Sequence, residues 1–126
     1  MRARRSKLKF VTKRIYEAAS PKDGNRILID RLWPRGVSKE KAAIDYWARD
    51  AAPSNELRKW YGHDHAKWPE FRTRYFAELD AAEDAVQALR DALLPGLNTI
   101  VFASKEQDLN NARALVEYFE EHRSST

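Results

Sequence analysis

The residues best suited to chemistry gather in a few short stretches. Asp30-Arg31-Leu32-Trp33-Pro34-Arg35-Gly36 packs an acid, two guanidiniums and an indole beside a stiff proline and a permissive glycine. Arg31 and Arg35 can present planar forks to a phosphate or a carboxylate, and Trp33 can stack on a base, a ring or a guanidinium. The competing reading pairs Asp30 internally with an arginine and buries Trp33 in the core. Ser104-Lys105 joins a second apolar run to the last helical pattern, where free backbone N–H groups would meet a lysine at an anion-friendly position. Asn110 and Asn111 follow one turn on. Asn110 shares a side with the capping turn and is expected at the rim of the same cleft, against the ordinary reading of a locally bonded polar residue. Arg58 is a further candidate for anion contact, with a plain surface arginine as its alternative. Glu78 is either one half of an i, i+4 pair with Arg74 or, if it faces the cleft, an acid–base partner for Asp30. His63-Asp64-His65 offers two imidazoles and an acid, but a metal site lacks its third well-spaced ligand there, and turn chemistry explains the triplet better. No glycine-rich phosphate loop, nucleophile elbow or HExxH motif occurs.

Several elements must position these groups. Phe10–Tyr16 alternates loosely and ends in the turn-rich Ser20-Pro21-Lys22-Asp23-Gly24-Asn25, so it reads as a strand and a loop. Ile27-Leu28-Ile29 reads as a strand buried on both faces. Ser38 caps a short helix over Lys39–Ala43, and Ile44, Tyr46 and Ala48 alternate like a short strand. Ser54 caps a helix through Trp60, with Glu56 in the first turn where the dipole favours an acid. Phe71, Tyr75, Leu79, Ala82, Val86, Leu89 and Leu93 form one apolar stripe that starts near Trp68-Pro69. Either one long helix or two with a break near Asp80–Glu83 satisfies that stripe. Pro95-Gly96 stops it. Asn98–Ala103 reads as a second buried strand, and Ser104-Lys105-Glu106-Gln107 as a capping box opening the last helix, whose buried face is Leu109, Ala112, Leu115, Val116 and Phe119. Helices alternating with short apolar strands predict an α/β domain: a small, mostly parallel sheet covered by helices, three-layer and Rossmann-like. In such sheets ligands settle beyond the carboxyl ends of the strands. The two apolar strands would therefore bring Arg31, Arg35, Arg58 and Ser104-Lys105 into one cleft, with Trp33 as a wall.

The 126 residues suit one domain, and 43% hydrophobic with 11% aromatic residues is too apolar for a disordered chain. The chain divides into a basic arm over residues 1–8, a single domain over 9–122 and a loose tail over 123–126. Without cysteine, disulfides, thiolate catalysis and iron–sulfur ligation are excluded. No apolar run approaches a membrane span and the N-terminus lacks a secretory signal, so a cytoplasmic location without membrane partners is expected. The net charge of +4 is unevenly placed: seven basic residues precede the first acid, Glu17, and residues 15–126 alone balance at −3. Such an arm can hold nucleic-acid backbones non-specifically, and a solvated tail that aids solubility is the competing reading.

Asn25 through Lys39, then Ala52-Pro53-Ser54 with Leu57-Arg58, Phe71-Arg72 through Tyr75 with Glu78-Leu79, and Asn110-Asn111-Ala112 closely resemble the YeaO-like bacterial family, catalogued as domain of unknown function number 488. The resemblance runs from about Val11 to Phe119, and the DRLWPRG stretch carries most of its specificity. It implies a compact cytoplasmic α/β domain with no nameable cofactor. Its polar signature falls on Asp30, Arg31, Trp33, Arg35, Ser54, Arg58, Tyr75, Glu78, Lys105, Asn110 and Asn111. Pro69 departs from the expected pattern and leaves the start of the long helix open. Two functions follow. One is a small enzyme for a phosphorylated or nucleotide-like substrate, with Asp30 or Glu78 managing protons; the other is a non-catalytic module for an anionic ligand or nucleic acid.

Overall fold

The structure, a computed structural model, describes residues 8–122. Residues 1–7 of the expected basic arm and the expected loose tail 123–126 lie outside the described residues. Leu8, read as the last residue of the arm, opens the first strand.

Four strands form one sheet: β1 (Leu8–Arg14), β2 (Asn25–Leu28), β3 (Tyr46–Trp47) and β4 (Gly96–Phe102). Their order is β1-β4-β2-β3 and every pairing is parallel. The helices are α1 (Lys39–Ala42), α2 (Asn55–Tyr61), α3 (Trp68–Ala81), α4 (Glu83–Ala92) and α5 (Asn111–His122). The architecture is thus a small parallel α/β fold with helices on both faces. Their cover is unequal. Ile27, Ile29, Ile100 and Phe102 face α2 to α5, while Leu28 and Val101 lie in a smaller cluster with Ile15, Ala42 of α1, Trp33, Val37, Ile44 and Trp47. Ile29, Leu79, Val101, Leu115 and Phe119 are all buried. Among the described residues no helix is long and apolar enough to cross a membrane.

Local chemistry sets most boundaries. Ser38 and Ser54 cap α1 and α2 by accepting from Lys41 N and Leu57 N. The apolar stripe is carried by two helices. The chain breaks at Ala82, whose N–H is shared between Glu78 O and Leu79 O, and Val86 and Leu89 then continue the face of Phe71, Tyr75 and Leu79.

The last helix differs from expectation, since it opens at Asn111 and not at Ser104. Ser104 Oγ bonds the backbone of Glu106, whose carboxylate accepts from Asp108 N and Leu109 N. These side chains satisfy the backbone locally, so the segment holds its turns without entering the helix. Asn110 then caps α5, its Oδ1 accepting from Arg113 N at 2.9 Å.

Candidate functional site

The chain leaves β2 toward the α1 face and leaves the adjacent β4 toward the α5 face. A crevice opens between neighbouring strand ends where connections diverge in this way. Pairing of Leu28 with Val101 sets Asp30, two residues past β2, beside Ala103, just past β4. A cavity of about 300 Å³ lies there, lined by polar groups from Asp30, Arg31, Arg58, Ser104 and Asn111 and walled by Trp33, Pro53, Tyr61, His63 and Phe71. A larger trough of about 700 Å³ lies between β3 and the α3–α4 break; half of its lining residues are alanine, and its Asp50, Glu83 and Asp84 do not gather as metal ligands would among the described residues. The smaller cavity is therefore the candidate site.

Asp30 joins three elements. Its Oδ2 accepts from Ala103 N at 2.8 Å, its Oδ1 from Asn111 Nδ2 at 3.0 Å, and its carbonyl from Trp47 Nε1 at 2.6 Å. Burial raises the pKa of its carboxyl, against the opposing pull of those two N–H donors and of the Arg58 charge. Arg31 donates from Nη2 to Ala52 O at 2.7 Å and from Nε to Pro53 O at 3.3 Å, tying the loop after β2 to the segment before α2. Carbonyls fix this guanidinium without neutralising it. Arg58 bonds only Asn55 Oδ1, at 3.0 Å on its own helix. Neither arginine has a carboxylate within ion-pair distance among the described residues, whereas Arg26, Arg72, Arg74 and Arg113 each do. Trp33 serves as a wall and as core together: its Nε1 donates to Val37 O, and its ring meets Trp47 edge-on at 5.4 Å.

Other expected site residues stand elsewhere. Arg35 is exposed and does not line the cavity; its carbonyl accepts from Tyr16 OH. Lys105 is exposed and also absent from the lining, because the helix that was to present it begins six residues later. Asn110 is buried and occupied as a cap, so it is Asn111 that reaches the site. Ser54, Tyr75 and Glu78 line an adjoining cavity of about 350 Å³ that shares Arg31 with the first. There Glu78 accepts from Ser54 N at 2.8 Å and Ser54 Oγ at 2.6 Å, and Tyr75 OH donates to Ala51 O at 2.6 Å. Glu78 thus anchors the start of α2, in a cavity that Asp30 does not line. Burial holds the Tyr75 hydroxyl well above its ordinary pKa.

Tyr61, Phe71 and His63 are site residues that pattern reading missed. Tyr61 and Phe71 lie among apolar helix positions and resemble plain core. His63 carried one signal, its place after Gly62. Both residues take left-handed backbone, with φ of 52° and 59°, and the His63 ring stands edge-on to Tyr61 at 5.7 Å. The His63-Asp64-His65 triplet divides its labour. Asp64 caps the following turn through Ala66 N, and His65 Nε2 meets Glu106 Oε1 at 2.7 Å. Among the described residues no group of three or more His, Asp or Glu side chains gathers as metal ligands would.

Residues 9–126 match the family model described as the inactive DUF488-N3 subclade. The chain is 38% identical over 106 residues to the uncharacterized protein YeaO of Escherichia coli, an alignment covering 84% of this chain and 92% of that relative. Uncharacterized proteins of Mycobacterium tuberculosis and Mycobacterium bovis are each 39% identical over 105 residues, covering 82% of this chain and 87% of theirs. No solved structure shows significant similarity to the chain.

Proposed function

Because the chain belongs to the DUF488 family, in the branch described as its inactive DUF488-N3 subclade, we propose that it is a binding module, which holds a small anionic ligand in the cavity between β2 and β4 and makes or breaks no bond in it. One observation carries this reading: the cavity holds two guanidiniums without a carboxylate ion pair, and its single lining carboxylate already has a donor on each oxygen. A phosphate or carboxylate supplies the missing counter-charge to Arg31 and Arg58. Asp30, clamped between Ala103 and Asn111, is better placed to brace the cavity than to take a proton from a ligand. Glu78 is engaged by Ser54 in the neighbouring cavity.

Arg58 gives the clean test, because among the described residues its side chain makes one hydrogen bond, an exposed one within α2, whereas Arg31 also braces the backbone. A ligand that binds the folded state raises the unfolding temperature by mass action. Thermal shift with inorganic phosphate and a set of phosphorylated metabolites is expected to give stabilisation that Arg58→Ala weakens about tenfold or more in affinity, the worth of a charge-assisted contact. Arg35→Ala, off the cavity, is the control and leaves binding unchanged. Equal binding by wild type and Arg58→Ala would overturn the assignment.

A second reading, a chemical step, has one observation in its favour: burial strengthens the hold of Asp30 on its proton, which is what a general acid requires. Turnover of a phosphorylated substrate that disappears in Asp30→Asn would replace the binding reading.

A further inference from the structure

Asn111 stands at the first position of α5 with its side chain in the cavity. Both hydrogens of its amide are engaged, Nδ2 donating to Ile29 O at 2.6 Å and to Asp30 Oδ1 at 3.0 Å. A backbone carbonyl can only accept, so turning the amide over would press Oδ1 against another oxygen. Its orientation is therefore fixed by chemistry. Oδ1 takes no hydrogen bond from the described residues, yet no buried side-chain oxygen or nitrogen lacks a partner. Oδ1 must then be reached from open space, and the open space beside Asn111 is the cavity. The site thus offers the guanidiniums of Arg31 and Arg58 and a rigid neutral acceptor at Asn111, and its lining also includes the flat side chains of Trp33, Tyr61, His63 and Phe71.

We propose that Asn111 is the specificity-determining residue of this site: its Oδ1 accepts a hydrogen bond from the N–H or NH₂ edge of a planar ring whose attached anion is held by Arg31 and Arg58. A nucleoside monophosphate has this chemistry, with a ring for the aromatic walls, a donor edge for Asn111 and a phosphate for the guanidiniums. The cavity, at about 300 Å³, is at the small end of ligand sites and admits one such unit, not a polymer. A site that hydrogen-bonds a ligand donor rejects the analogue lacking it, because the bound analogue covers the acceptor and leaves it unpaired. The inference rests on the binding reading above and adds the part of the ligand that reading leaves open.

Calorimetric titration of the full chain with inorganic phosphate, ribose 5-phosphate, the common nucleoside monophosphates and their ring-edge N-methylated derivatives separates the two. The expected result is one nucleotide that binds at least about tenfold tighter than ribose 5-phosphate and loses that advantage when its donor is methylated. In Asn111→Ala the parent and methylated nucleotides should bind alike; if that variant does not fold, the ligand pair decides alone. Binding of every phosphate probe with equal, Arg58-dependent affinity would overturn the role of Asn111 and leave the anion site standing. A base preference that survives methylation would overturn it too, since stacking alone then explains the preference. No binding by any probe, phosphate included, would overturn both.

Discussion

Asp30→Asn isolates the clamp between the ends of β2 and β4. The wild-type carboxyl accepts from Ala103 N through one oxygen and from Asn111 Nδ2 through the other. The amide that replaces it has one oxygen, and its NH₂ has no lone pair to offer the second donor. One N–H is left facing another, which costs about 1–3 kcal/mol in a partly buried setting. Charge works in the opposite direction. Burial raises the Asp30 pKa above its ordinary 3.8, so the folded state binds a proton that the unfolded chain has released. Stability from this group is therefore complete at acid pH and declines as pH rises from about 3.8 through the raised value, at a cost of about 1.4 kcal/mol for each tenfold gain in proton affinity on folding. Asp30→Asn cannot titrate. Its deficit against wild type should thus be largest near about pH 4, where a neutral carboxylic acid still offers a lone pair to each donor, and should shrink toward about pH 8. Urea unfolding followed by tryptophan fluorescence across that range measures the gap, and taking the difference cancels the other titrating groups. A gap that is flat with pH, or that widens as pH rises, would refute the argument that burial dominates at Asp30.

Three further outcomes follow from the packing. Leu115→Ala removes a fully buried side chain from the larger core face and should cost about 2–5 kcal/mol in chemical denaturation, a loss inconsistent with a change within experimental noise. Ser54→Ala removes the cap on Leu57 N and the bond to Glu78 together; a loss of about 1–3 kcal/mol is expected, and adding Glu78→Gln should then cost less than it does in the wild type because the two share one contact. Deleting residues 1–7, and not Leu8 of β1, removes four of the seven basic residues that precede Glu17; it should leave the melting temperature nearly unchanged while sharply weakening any salt-sensitive binding to nucleic acid, and binding that survives intact would move the interface onto the rest of the chain.

What the chain determines by itself is local. Ile27-Leu28-Ile29 reads as a central strand because an unbroken apolar run suits burial on both faces, and β2 with Ile29 sits between β4 and β3. Ser38 and Ser54 mark helix starts because each hydroxyl answers an N–H within its own turn. The stripe from Phe71 to Leu89 fixes a helical phase that survives the break at Ala82. The alternation of strands and helices also implies parallel neighbours whose ends come together, as the ends of β2 and β4 do, while the strand order and the faces by which the chain leaves them come from the tertiary structure.

Tertiary structure alone decides which polar group meets which partner. Ser104-Lys105-Glu106 carries a helix-start signal, yet the carboxylate of Glu106 and the hydroxyl of Ser104 close their own turns, and the helix begins at Asn111. That displacement moves Lys105 out of the site, makes Asn110 a cap and sends Asn111 into the cavity. Arg31 and Arg35 are equivalent in sequence, but only Arg31 finds carbonyls across the cleft, at Ala52 and Pro53, while Arg35 stays in solvent. Glu78 looks like half of an acid pair until Ser54, 24 positions earlier, is packed against it. Periodicity and capping act over one or two turns, where sequence distance and spatial distance agree. The partner of a long polar side chain is set by a neighbouring element that sequence distance does not locate, and the chemistry of this site consists of such pairings.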